Sequence, residues 1–351
     1  MSTEEEILFE VTGAIGLVTL NRPKALNALT HEMCLALKEQ LQEWETDENV
    51  RAVLVEGTGE KAFCAGGDIV KLYNEGRSGG DYPYNFYRDE YLLNLAVKHF
   101  KKPYIALMDG IVMGGGVGVS VHGSHRIATE RTLFAMPETG IGLFPDVGGT
   151  YFLPRLAGEL GMYLGLTGAR LKAADAVYSG ITPVYIETEK LDDLKGALAG
   201  HRFGANAHEE VDALLARFAG DPGAAPIAEV ASIIDAHFAN PSAVAILASL
   251  EGDPDPWAQK TAETLRTKSP TSVKLAYQQL RRGAKLDFDD CMRLEFRMVG
   301  RVIQGVDFYE GTRAVVIDKD QSPKWKPATL EEVSDAEIEA YFAPLPGGEL
   351  F

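Results

Sequence analysis

The stretch Met108–Pro154, MDGIVMGGGVGVSVHGSHRIATERTLFAMPETGIGLFPDVGGTYFLP, decides how this chain reads. Gly114, Gly115 and Gly116 stand in a row and are followed by two carboxylates in turn-rich sequence, Glu138 and Asp146. Glycine lets backbone approach a ligand closely and aim bare N–H groups at it. Such groups stabilise an oxyanion, and a nearby carboxylate serves as base or nucleophile. The combination points to acyl chemistry that needs neither metal nor organic cofactor. The plainer reading stays open: small residues also let a short helix pack tightly, and loop carboxylates also act as caps.

Working outward, short apolar runs alternate with helical patterns through the first 200 residues. Ile7–Val11 and Gly16–Leu20 read as strands joined by a turn at Thr12-Gly13. Thr30 caps a helix in which Met33, Leu37, Leu41 and Trp44 recur at helical spacing. Ala52–Val55, Tyr104–Met108, His125–Ala128 and Thr132–Ala135 read as strands, and Phe86–Phe100 as a helix. Glu138 is placed at the end of an apolar strand. Glu90 falls on the Phe86–Phe100 helix, where a charged face is ordinarily solvated. The segment Lys61–Ile69 runs from a strand end through Gly66-Gly67 to Asp68, either a turn with a helix cap or a place where the Gly67 N–H meets a ligand.

From about residue 201 the pattern turns helical, with expected helices at Glu209–Ala219, Ile227–Ala239, Ala243–Leu250, Trp257–Lys268, Thr271–Arg282 and Asp289–Ile303. The expected organisation is a 1–200 α/β core with a 201–351 α-helical region packed on it. The tail from Ala343, rich in Pro and Gly, reads as loosely ordered.

Composition narrows the function classes. A formal net charge of −17 disfavours nucleic acid and anionic membrane as partners. It also means that a polyanionic ligand needs a local cationic patch, for which Arg22, Lys24, Lys61 and Lys71 are candidates. No apolar run reaches membrane-spanning length. The acidic start, Met1–Glu6, lacks a leader pattern and reads as cytoplasmic. Cys34, Cys64 and Cys291 are few and far apart, which suits buried thiols rather than disulfides or a metal site. His122 and His125 read as structural. Dinucleotide, phosphate-loop and nucleophile-elbow signatures are missing from the sequence.

Taken in order, Asn21–Leu29 (NRPKALNAL), Phe63–Ile69 (FCAGGDI), the Gly114–Gly116 run and Pro137-Glu138 resemble the crotonase, or enoyl-CoA hydratase/isomerase, superfamily. The resemblance implies a crotonase (ClpP-like) fold of repeated ββα units, with an oxyanion hole formed by the N–H groups of Gly67 and Gly115. In hydratases of this family two glutamates work together; one matches Glu138, whereas the other matches Gly118, which has no side chain. Met136–Thr139, Gly142–Gly149, Phe308–Arg313 and Ile317–Trp325 resemble the 3-hydroxyisobutyryl-CoA hydrolase branch. That branch implies an acyl-CoA thioesterase of valine degradation in which Glu90, Gly115, Glu138 and Asp146 meet the acyl group. Ala25, Asn27, Ala65, Asp68 and Ile69 would hold the CoA portion, mainly through backbone. CoA enters as part of the substrate, with no separate cofactor, and a homo-oligomer is compatible with the resemblance. Two alternatives remain: a divergent hydratase or isomerase using Glu138 alone, and a non-catalytic CoA-ester-binding protein.

Overall fold

The structure, a computed structural model, describes residues 5–351; the first four residues of the acidic start lie outside it. Ten strands are present among these residues: β1 (Ile7–Thr12), β2 (Ile15–Leu20), β3 (Ala52–Gly57), β4 (Ala62–Cys64), β5 (Tyr104–Met108), β6 (Ile111–Met113), β7 (His125–Ala128), β8 (Leu133–Ala135), β9 (Leu171–Lys172) and β10 (Val184–Tyr185). They form a six-stranded sheet, β1-β2-β3-β5-β7-β10, and a four-stranded sheet, β4-β6-β8-β9. In the larger sheet β1 and β2 are an antiparallel hairpin and the remaining pairs are parallel.

The repeat is visible in this order. Each of β3-β4, β5-β6 and β7-β8 gives one strand to the large sheet and the next to the small one before the chain turns helical. Parallel neighbours need such crossovers, because a tight turn can join only antiparallel strands. Both faces of the large sheet are covered, as parallel sheets require. One face carries Ala52, Leu54, Ile105, Leu107 and Ile127, packed with Leu191, Leu194, Leu198, Val211 and Leu214. The helix His31–Thr46 is capped by the Thr30 hydroxyl, which accepts from the Met33 N–H, and it buries Met33, Leu37, Leu41 and Trp44.

The chain divides into two compact units that interleave along the sequence. The first comprises residues up to Gly67, Leu92–Phe134 and Leu171–Ala228; the second comprises Asp68–Tyr91, Ala135–Arg170 and Glu229–Phe351. Both sheets belong to the first unit, apart from the last residue of β8. The 1–200 and 201–351 division follows the change in secondary-structure content, whereas neither compact unit is one continuous segment.

The C-terminal part is helical from Ala207 onward, with two of the longest helices at Pro270–Gly283 and Phe288–Val302. The expected helix over 227–239 is instead two, Pro226–Glu229 and Ala231–Phe238, separated at Val230. The tail is not loose. Leu350 is buried, Glu349 pairs with Arg297 at 2.9 Å, and the Arg293 guanidinium lies over the Phe351 ring. Composition alone misjudged this segment because one buried leucine and two cation contacts outweigh its Pro and Gly content.

Gly116 shows why the glycine run is needed. A Cβ at this position would stand 2.1 Å from the carbonyl oxygen of Cys64, at the end of the neighbouring strand β4. Gly116→Ala should therefore destabilise the protein by about 1–3 kcal/mol, the usual cost of overpacking. Thermal unfolding measures this, and an unchanged Tm would contradict the close approach.

Candidate functional site

In the first unit, β4 and β6 run parallel and side by side, with Ala62 opposite Ile111 and Cys64 opposite Val112. The chain leaves their ends through Gly66-Gly67 and Gly114-Gly115 respectively. A Cβ built on Gly66 would lie 3.6 Å from the Met113 oxygen and 3.8 Å from the Gly115 nitrogen. The two glycine segments are thus immediate neighbours. The Asn21–Leu29 loop is fastened to the same place. Ala65 N–H donates to the Leu26 carbonyl at 3.0 Å, and Leu29 N–H donates to the Gly66 carbonyl at 2.8 Å.

The expected CoA-contacting residues separate here. Ala25 is exposed, and Ala65 is half-buried with its N–H already engaged. Asn27 is fully buried; its amide donates to the carbonyls of Thr58 and Ala62 and its oxygen accepts from Arg22 N–H. The Asn27 side chain therefore fixes the shape of the loop, whose backbone was expected to meet CoA. Next to it lies a groove of about 380 Å³ whose lining includes Lys24, Leu26, Thr58 and Lys61. Of the other two cationic candidates, Arg22 is held by Glu6 and the Ala28 carbonyl, and Lys71 lies over the Tyr82 ring. Asp68 caps the helix Ile69–Arg77 through the Lys71 N–H.

In the second unit four carboxyl groups are buried together. Glu90 sits on the helix Tyr82–His99, Glu138 opens a 3-10 turn at Glu138–Ile141, Asp146 lies in the loop before Gly149–Phe152, and Glu295 comes from Phe288–Val302. Pro137 explains why the strand expected to reach Glu138 stops at Ala135: proline has no N–H to continue a ladder. Glu90, read locally as solvated, is 1% exposed, because its helix face is lined by the buried Tyr87 and Tyr91. Tyr91 donates its hydroxyl to Asp146 Oδ2 at 2.9 Å.

The electrostatics follow from this packing. Burial, and then the charge of Asp146, pushes Glu138 well above the usual carboxylate range. Glu90 is raised by burial, then by Asp146, Glu138 and Glu295. Burial raises Asp146 to about 7 against the opposing Tyr91 hydrogen bond. Burial and Asp146 raise Glu295 to about 8. Such a set holds ionised and neutral carboxyls together near neutral pH, the condition for paired acid and base work. Glu138 Oε2 and Glu90 Oε1 are buried without a hydrogen-bond partner in the protein. An unsatisfied buried polar group costs about 1–3 kcal/mol, so these two oxygens contribute nothing to the stability of the fold as they stand.

Glu295 was not foreseen, nor was Gln279. Glu295 lies in the stripe Cys291, Glu295, Met298, Val302, all buried on one side of an amphipathic helix. An acid within an apolar stripe is a signal the sequence did carry. The hydrogen bonds it makes to the distant residues 148 and 150 had no counterpart in local pattern.

Comparison with known proteins places the chain in a family. The family model described as enoyl-CoA hydratase/isomerase matches residues 15–342. A 3-hydroxyisobutyryl-CoA hydrolase from Danio rerio is 46% identical over 98% of this chain and 91% of the relative. One from Gallus gallus is 45% identical over 98% of this chain and 90% of the relative. A solved structure described as a carnitinyl-CoA dehydratase from Mycobacterium thermoresistibile superposes with a TM-score of 0.91 at 43% identity, covering 98% of both chains. The cytoplasmic location read from the N-terminus does not stand, because both relatives are named mitochondrial. A few acidic residues do not fix a compartment. The chain belongs to the enoyl-CoA hydratase/isomerase, or crotonase, family, within the branch of the 3-hydroxyisobutyryl-CoA hydrolases.

Proposed function

We propose that this protein hydrolyses the thioester of 3-hydroxyisobutyryl-CoA, giving 3-hydroxyisobutyrate and CoA. The observation that carries the reading is the buried group of Glu90, Glu138 and Asp146, two of which present oxygens with no partner in the protein. The names and near-complete overlap of the relatives supply the acyl group.

In this reading Gly67 and Gly115 donate their N–H groups to the thioester oxygen as it becomes an oxyanion. Glu138 acts on the carbonyl carbon by one of two routes. As nucleophile it forms an anhydride that water then opens; as general base it takes a proton from the attacking water. In both, the C–S bond breaks and the departing thiolate receives a proton. We assign that delivery to Asp146. Glu90 hydrogen-bonds the 3-hydroxyl of the acyl chain. Lys24 and Lys61, beside the groove near Asn27, offset the phosphate charge of CoA in an otherwise acidic protein.

A lyase is the second reading, favoured by the dehydratase description of the 43% identical structure. Gly118 counts against it. This position is a buried glycine and supplies no second carboxylate for adding water across a double bond. CoA release from 3-hydroxyisobutyryl-CoA, assayed beside crotonyl-CoA hydration, separates the two; hydration without release would reject the hydrolase.

Glu138→Gln should lower kcat by about 10²–10⁴-fold, the ordinary contribution of a positioned acid–base group. Its KM should change little, and near-normal turnover would remove Glu138 from the chemistry.

The raised acids also set a pH dependence of stability. Asp146 has an ordinary value of 3.8 and is raised to about 7, and Glu295 moves from 4.5 to about 8. Between those values the folded protein keeps protons that the unfolded chain has released. The stabilising contribution is therefore complete below the ordinary values and is lost as pH rises through 7 to 8. Calorimetry across that window should show a falling Tm, less steep in Asp146→Asn. A slope identical in that variant would mean that Asp146 is ionised throughout.

A further inference from the structure

The loop that carries Asp146 is held in a conformation it would not adopt unaided. Val147 has a φ of +49°, in the left-handed region that is least accessible to β-branched residues. The next residue, Gly148, is left-handed as well, with φ +85°. Two buried side chains from the C-terminal helices pin the segment on either side of this turn. Glu295 accepts from Gly148 N–H through Oε2 at 2.8 Å and from Thr150 N–H through Oε1 at 2.9 Å. Gln279 donates one Nε2 to both the Pro145 carbonyl, at 2.6 Å, and the Thr150 hydroxyl, at 2.7 Å. Asp146 is thus bracketed by fixed points at residues 145, 148 and 150, while its side chain is met by Tyr91.

We propose that Glu295 is a positioning residue for Asp146. Its carboxyl group clamps the Gly148 and Thr150 N–H groups, keeps Val147 in left-handed backbone and so fixes the direction of the Asp146 side chain. This rests on the reading of Asp146 as part of the thioesterase site. A bidentate acceptor fits the task because both of its oxygens are used and both bonds go to main chain. The arrangement tolerates no side-chain rearrangement of the loop. Strain of this kind persists only where the surroundings over-determine it, and it gathers at functional sites. Glu295 touches neither substrate nor reacting atoms in this scheme. It acts through the loop.

The test uses the full-length protein and four variants: Glu295→Gln, Val147→Gly, the double variant, and Asp146→Asn. Glu295→Gln keeps one acceptor and sets an amide N–H₂ against the other N–H group. The expected result is a fall in kcat of at least about tenfold per folded molecule, with KM nearly unchanged and a lower Tm. In the double variant glycine relieves the strain, so Tm should recover while kcat stays low, a split that a purely structural role would not produce. Recovery of kcat together with Tm would overturn the proposal, as would Glu295→Gln with wild-type kcat. Should Glu295→Gln fail to fold, Glu295→Asp keeps the charge with a shorter reach and should show the same fall in kcat; wild-type kcat there would also overturn it. Asp146→Asn tells the two readings apart. Full thioesterase activity in that variant removes Asp146, and this proposal with it. An inactive Asp146→Asn beside an unaffected Glu295→Gln defeats the positioning role alone.

Discussion

Four carboxyl groups buried together cannot all be charged, and the second unit is built around that constraint. Isolated ionised carboxylates are too costly to bury, so the group either shares protons or finds donors. Here it does both. Glu295 takes two main-chain N–H groups and Asp146 takes the Tyr91 hydroxyl, while Glu138 and Glu90 each retain an oxygen with no protein partner. The hydrogen bonds are concentrated on the two acids that hold the loop. The two left under-satisfied are those whose role is assigned to substrate. A stability optimum would have satisfied all four; a reactive site leaves some of them in need.

The repeated strand pairs explain why the same kind of turn recurs along the chain. After β4 the chain turns at Gly66-Gly67, after β6 at Gly114-Gly115, and after β8 at Pro137-Glu138. The same point in three successive repeats is thus marked by Gly66-Gly67, Gly114-Gly115 and Pro137-Glu138. Gly66 and Gly114 take positive φ, of +120° and +48°, and the third turn carries a proline that cannot continue the ladder.

Much of this was legible in the sequence. The Thr30 cap and its Met33, Leu37, Leu41, Trp44 stripe are local, and local pattern reads them well. The glycine pairs and the turn at Pro137-Glu138 stand out in the sequence because Gly and Pro punctuate the chain locally. What escaped was non-local. Glu90 was placed against the acyl group only by the resemblance; its local pattern reads as a surface acid, and its burial beside Tyr87 and Tyr91 comes from tertiary packing. The role of the Asn27 amide in holding Thr58 and Ala62 was likewise not readable from local pattern. Glu295 acts across 145 residues on Thr150, a distance no periodicity reports. The tail misled for the opposite reason, since its Pro and Gly content is a local signal and its anchoring through Leu350 and Arg297 is not.

The interleaving of the two units bears on the order of synthesis. Glu90, Glu138 and Asp146 leave the ribosome long before the segment Glu229–Phe351 that completes their unit. Chains fold from the N-terminus as they emerge, unit by unit. The first unit has all of its residues once Ala228 is made, whereas the acids wait in water, ionised, for the helix that brings Glu295. The unit that holds the four acids is thereby completed last, and the acids reach their buried surroundings only when translation is nearly done.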